Sequence, residues 1–455
     1  MQGFLFRAAL ICGLLVCSRV AHAEAALTDV DAALKIALTR QQPMFIDFSA
    51  IWCHSCHAMD AQVLNGTDWD SRQDRFVLVR SDADSVNGAA WMKKLGVPTL
   101  PTYVVLNPDG SERGRLTGEM KRADFYPAFD RLLSGEDSLA KLNAKAAAGS
   151  IDAAAKVLRA YDERKEPQKG LDWYAKLPEA TRKAVQGDGP ASIRLAIVEA
   201  HAAQHKMLFA KPKAPAAESA RLAQECRARA QQVLDGKSEL EDRFDMARTL
   251  LSCARDLPPA QKSALASAQL PVLKPLYENE IPNAGSGAVR EATYTMVQIH
   301  EALGDKPGEQ AAYDAGIAMA RKALNDGHGG IDVKEDRSMA EVHSELLSRT
   351  DKRKSEYSAT LKTMVEAYPD DFFCQYQYGR DLLANGHAAE ALPYLERASK
   401  GASDTWKLST AYAQAKALVA LQRRAEAEKL FNEAMRKAEA QFPEQTRFDK
   451  QYMKL

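Results

Sequence analysis

Phe45-Ile46-Asp47-Phe48-Ser49-Ala50-Ile51-Trp52-Cys53-His54-Ser55-Cys56-His57 is an apolar run that ends abruptly in two cysteines spaced two residues apart. The run is short, carries aromatic and branched side chains and follows Pro43, which suits a buried strand better than a helix. Cys56 to Leu64 contains no breaker and spaces Met59 and Val63 four apart, a helical period. Cys53 therefore falls at a helix N-terminus, where unpaired backbone N–H groups and the helix dipole stabilise an anion and lower a thiol's pKa. The pattern reads as a redox dithiol. Cys53 is the attacking thiol; Cys56, one helical turn on and less exposed, resolves the mixed disulfide. Asp47 stands inside the apolar run, where an isolated carboxylate is costly and its pKa rises toward neutrality. It is the candidate proton acceptor for Cys56, the plainer alternative being a strand-end carboxylate bonded to backbone.

The 455 residues leave room for more than one domain with an ample core. Lys plus Arg (61) equals Asp plus Glu (61), so a formal net charge of zero recommends neither nucleic acid nor an anionic membrane as partner. A protein or a small thiol is the expected partner. Residues 1–23 read as a secretory signal peptide: Arg7, an apolar core from Ala8 to Cys17, and the small-x-small site Ala21-His22-Ala23. Leu14-Leu15-Val16-Cys17 is a poor lipoprotein acylation box because Val16 is bulky. No later apolar run is long enough to span a bilayer. The expected product is exported, periplasmic or equivalent, and soluble from about Glu24.

Signal removal takes Cys12 and Cys17 from the seven cysteines and leaves an odd number, one of which has no partner in an oxidising compartment. Cys226 and Cys253 lie on consecutive predicted helices at comparable distances from the turn at Gly236-Lys237-Ser238. They are either a structural disulfide or two inert buried thiols.

Along the chain, Ala32 to Thr39 has helical spacing, Phe76-Val77-Leu78-Val79 reads as a second buried strand, and Ala89 to Leu95 as a helix. Val97-Pro98-Thr99 and Leu100-Pro101-Thr102 each put a proline near the following β-run, at the start of a strand or in a cis turn. Pro101 is preferred because Tyr103-Val104-Val105-Leu106 follows it directly. Glu112 to Thr117 gives a further strand, Gly118 a tight point, and Asp124 to Leu133 an amphipathic helix. This order specifies a small α/β sandwich.

Asp47-Phe48-x-Ala50-x-Trp52-Cys53-x-x-Cys56, Pro101-Thr102 before a strand, and Gly118 before the last helix together resemble the thioredoxin superfamily. Within it, the aromatic-Cys-x-x-Cys and Leu-Pro-Thr are similar to the C-terminal domain of the periplasmic thiol:disulfide interchange reductases. The resemblance spans about residues 25–136, with the domain itself drawn at 24–136. It implies Cys53 as attacking thiol, Cys56 as resolving thiol, Asp47 as buried proton acceptor and Pro101 as a cis-proline facing the dithiol. Trp52 and Leu100, the neighbours of Cys53 and Pro101, are the candidate substrate contacts. The dipeptide His54-Ser55 departs from the Gly-Pro of thioredoxin and the Pro-His of the periplasmic oxidant, which leaves the direction of electron flow open; the resemblance favours a reductase or interchange role. No cofactor is implied, but an electron-donating thiol–disulfide partner, possibly membrane-bound, must regenerate the dithiol that reduces protein clients.

From about Ser138 the composition turns to Ala, Leu, Glu, Lys and Arg, and β-rich runs disappear, so residues 137–455 are expected to be all-helical. Tyr378-Gly379, Leu382, Ala391, Leu395 and Ala398, repeated by Ala415, Leu418, Ala427, Phe431 and Ala434, follow tetratricopeptide spacing within about 372–440. A stacked helical solenoid would offer a concave face to a partner or client. The competing class is an interaction protein in which the solenoid carries the function and the dithiol is secondary or a staple. Cys53-His54-Ser55-Cys56-His57 also satisfies the c-type haem signature, but haem attachment requires neither the aspartate-bearing strand upstream nor the Pro-Thr strand downstream. Zinc or copper lacks a second ligand pair at usable spacing. His54 and His57 are expected as exposed helix-start residues, and a cationic His54 would favour the Cys53 thiolate.

Overall fold

The computed structural model describes residues 27–187, 189–209, 213, 215–328, 330–350, 354–450 and 453. The signal sequence assigned to residues 1–23 lies outside them. The N-terminal part runs α1 (Val30–Arg40), β1 (Met44–Ser49), α2 (His54–Gln62), α3 (Gly66–Asp70), β2 (Val77–Asp82), α4 (Val86–Leu95), β3 (Thr102–Leu106), β4 (Glu112–Thr117) and α5 (Arg122–Leu133). The four strands form one sheet in the order β2-β1-β3-β4. β1 runs parallel to β2 and antiparallel to β3, and β4 closes the sheet as an antiparallel neighbour of β3.

Because side chains alternate along a strand, the continuous apolar run of β1 serves two cores. Phe45 points into an aromatic cluster with Met59, Trp69, Phe76, Tyr103, Phe125 and Phe129. Met44, Ile46 and Phe48 point the other way, against Val30, Ala33, Ala37 and Trp91. The sheet is thus sandwiched between α2, α3 and α5 on one side and α1 and α4 on the other. Helix α2 begins at His54 and ends at Gln62, two residues earlier at each end than its apolar spacing suggests, because Cys53 is its N-cap. The polar stretch after it still forms α3, since Trp69 buries into the aromatic core.

Beyond α5 the described residues are helical up to Asp449 apart from the connecting segments and short 3₁₀ turns. Helix Ala216–Asp235 is tied to helix Leu240–Cys253 by a Cys226–Cys253 disulfide with an S–S distance of 2.03 Å. Near the C-terminus, Phe372–Ala384 packs on Ala388–Gly401 and Lys407–Ala420 on Arg424–Gln441 around Leu395, Leu418 and Phe431. Gly379 permits the first of these pairs to close, since a Cβ there would stand 2.8 Å from Leu395. Cys374 is the free cysteine among the described residues; it is buried, and burial pushes its thiol pKa up. Two helices, Ser286–Leu303 and Arg337–Ser348, pack directly on α2. The helical region therefore meets the sheet domain at the helix that carries the two cysteines.

Candidate active site

Cys53 and Cys56 are joined, with an S–S distance of 2.09 Å. β1 ends at Ser49, the chain turns through Ala50 to Trp52, and Cys53 enters α2 in an extended conformation that lets its sulfur accept the Cys56 N–H at 3.2 Å. That is an N-cap interaction made by sulfur, and the same geometry would stabilise a thiolate once the bond is reduced. Cys56 is 3 % exposed and Cys53 only 5 %. Cys53 is thus nearly as covered as Cys56.

Asp47 occupies the Phe45 face of β1, the face that α2 covers, and is 2 % exposed. Burial raises its pKa to about 7; Asp60 adds to the rise and Arg80 opposes it. Arg80 is itself held by Asp60 at 2.7 Å. A carboxyl poised near neutrality beneath the dithiol helix is suited to exchange a proton with a thiol.

The Leu100–Pro101 peptide is cis, and Pro98 is not. Leu100 packs against the cluster of Ala50, Cys53, Cys56 and Ala83, so the turn carrying the cis bond adjoins the dithiol. Trp52 is 39 % exposed. Its indole N–H donates to Asp84 at 2.6 Å, and Asp84 also accepts from Trp406 Nε1 at 3.1 Å and Thr405 Oγ1 at 2.7 Å. Burial raises the Asp84 pKa, and the bonds from Thr405 and Trp52 limit the rise. The tryptophan beside Cys53 is therefore oriented by a carboxylate that the helical region shares.

Further residues of the helical region meet the site. Glu119, just after Gly118, accepts from Ser286 N at 3.2 Å, Ser286 Oγ at 2.9 Å and Gly287 N at 3.1 Å. Helix Ser286–Leu303 has no side-chain cap of its own, so the sheet domain caps it. His57 bonds Glu341 at 2.9 Å, and Arg337 binds Glu341 at 3.1 Å and also Asp371. The histidines are not the exposed helix-start residues their position suggests. Both are partly buried, and burial, reinforced by the Arg290 guanidinium, lowers the His54 pKa. His54 is neutral near pH 7 and supplies no positive charge to Cys53. Nothing in the sequence marks Asp84, Glu119, Arg290, Arg337 or Glu341 as neighbours of the dithiol: 284 residues separate His57 from Glu341, and Glu341 belongs to no local motif.

Cys53 opens onto a cleft of about 1350 Å³ between the two regions, lined by β4 on one side and by helices of the helical region on the other. The cysteine and histidine side chains form no cluster suited to a metal ion among the described residues. No helix among those residues is long and apolar enough to cross a membrane. Cys226 and Cys253 belong to a separate core with Met207 and Leu222 and take no part in this site.

A family model described as thioredoxin-like matches residues 25–108. A protein named thiol:disulfide interchange protein TxlA, from Synechococcus elongatus, is 30% identical over 116 residues, 25% of this chain and 58% of that protein. Thiol:disulfide interchange protein DsbD 2 from Pseudomonas aeruginosa is 32% identical over 101 residues, 21% of this chain and 17% of its own length. The chain thus spans under two thirds of either relative. Among solved structures, the C-terminal domain of Neisseria meningitidis DsbD in the oxidised form matches 24% of this chain and 98% of that domain at 29% identity, with a TM-score of 0.22.

Proposed function

With a thioredoxin-like domain over residues 25–108 as the premise, we propose that the protein is a thiol–disulfide oxidoreductase, acting as a reductase or interchange protein on protein disulfides through Cys53 and Cys56. The observation that carries this reading is a bonded Cys53–Cys56 pair at the N-terminus of α2, adjoining the cis Leu100–Pro101 turn and lying over Asp47. In the reduced state Cys53 attacks a partner disulfide, a mixed disulfide forms, and Cys56 attacks Cys53 to release the reduced partner. Asp47 accepts the Cys56 proton, while Trp52 and Leu100 flank the substrate. The relatives' names speak of interchange without a direction; the reductive direction is favoured by the resemblance of the Cys-x-x-Cys and Leu-Pro-Thr motifs to reductive periplasmic domains.

Export to an oxidising compartment belongs to the same reading, from the pattern of residues 1–23, as does an external dithiol donor. The paired helices over about 372–440 are read as tetratricopeptide-like, and the helical region as the part that selects partners. The test is a pair of variants in the full mature chain. Cys56→Ser is expected to accumulate mixed disulfides with a disulfide substrate, and Cys53→Ser to abolish exchange. Equal exchange by both variants and the parent would show the pair to be a staple.

A further inference from the structure

The helical region covers the face on which a folded protein would otherwise approach Cys53. Gly287 lies so close to α2 that a Cβ on it would stand 3.1 Å from Ser55 Oγ, and Glu119 beside the dithiol is fully engaged with Ser286 and Gly287. Thr405 N bonds Asp84 O at 3.0 Å and Ser403 Oγ bonds Asp82 at 2.7 Å on the other flank. Even a small redox encounter between folded proteins needs its disulfide sulfur to reach Cys53, and Cys53 is only 5 % exposed.

What remains is the cleft of about 1350 Å³, above the roughly 300–1,000 Å³ of ordinary small-molecule sites. One wall is β4 from Gly114 to Thr117, and β4 is the outermost strand, paired with β3 alone within the sheet. An outer strand accepts an extended chain through main-chain hydrogen bonds. Away from the sulfur the walls carry both charges, with Arg131 and Lys156 paired to Asp137 and Arg159 to Glu163. That lining suits a polypeptide of mixed composition better than a single anion or cation.

We infer that the helical region roofs the dithiol so that it exchanges with a disulfide borne on an extended, unfolded polypeptide segment lying in the cleft along β4, and excludes disulfides of folded proteins. This rests on the thiol–disulfide reading above. The Cys53 thiolate attacks the segment's disulfide, forming a Cys53–substrate S–S bond while the other substrate sulfur leaves as thiolate and takes a proton. The Cys56 thiolate then attacks Cys53, the Cys53–Cys56 bond forms, and the second substrate sulfur leaves. Two electrons pass from the dithiol to the substrate, and an external dithiol of small or extended form restores them.

The experiment compares three substrates of the reduced full-length mature protein: an unstructured peptide with one cysteine in mixed disulfide with glutathione, a folded domain carrying the same mixed disulfide in a surface loop, and glutathione disulfide. The peptide is expected to react more than about tenfold faster than the folded domain, and Cys56→Ser to yield a peptide adduct by mass spectrometry. Equal rates for peptide and folded domain overturn the inference, as does glutathione disulfide outpacing the peptide. Failure of all three substrates to react overturns the dithiol reading itself.

Discussion

Buried beneath α2 and pushed up to about 7, Asp47 changes protonation where most carboxylates stay charged. Asp47→Asn is expected to slow the resolving step about a hundredfold without changing the circular dichroism spectrum, and to remove a rate inflection near pH 7. Unchanged stopped-flow kinetics would assign Asp47 to packing. The stability consequence has a definite sign. A carboxyl whose native pKa is raised from 3.8 to about 7 binds its proton more tightly in the native state, so its contribution is fully present below the unfolded pKa and is lost as pH rises through 7. Denaturant unfolding should therefore show a fall in stability from about pH 4 to pH 7 that Asp47→Asn flattens.

His201 shows the opposite chemistry in the helical region. Burial disfavours its charge, but Asp162 at 2.7 Å and Asp245 at 3.1 Å outweigh burial and raise the pKa from 6.5 to about 10. Its stabilisation is complete below about pH 6.5 and lost as pH rises through about 10. His201→Ala leaves half-buried Asp162 without its cation and part-exposed Asp245 with Arg248 alone, and should cost about 1 kcal/mol at pH 7, measured by denaturant unfolding.

At the scale of elements, helix Ser286–Leu303 borrows its cap from Glu119, so the junction of the two regions is written into a helix end. Glu119→Ala should cost about 1 kcal/mol and raise amide exchange in the first turn of that helix, while leaving the sheet unaffected. Protection unchanged there would show that water replaces the carboxylate at no cost. The Cys226–Cys253 bond closes a loop with a sequence separation of 27. Replacing both by alanine should cost about 3 kcal/mol on loop-entropy grounds, seen as a lower thermal midpoint.

At the scale of the whole molecule, the parts that sequence could reveal are those encoded locally. The β1 run and the turn into two spaced cysteines announce a strand and a helix start, and the loss of β-branched runs after Ser138 announces the helical region. Trp69 misleads, because a lone aromatic in a polar stretch carries no period yet builds α3 into the core. The roof over the dithiol is invisible for a deeper reason. Glu119 with Ser286, Asp84 with Thr405 and His57 with Glu341 are polar contacts between residues 167 to 321 positions apart, beyond the reach of any local pattern. His54 differs from its expected exposed position for the same reason, since residues distant in sequence, Arg290 among them, lie near it.

If Cys53 and Cys56 form a working redox couple, their oxidation must be reversible. The measurement is the equilibrium of that pair in dithiothreitol and glutathione buffers, in the mature full-length protein, with thiols of the Cys53–Cys56 peptide counted by mass spectrometry. A reversible two-electron transition near or below about −270 mV is predicted for a reductase; a value near −120 mV would contradict the reductive direction, and the absence of any reversible transition would contradict the account itself.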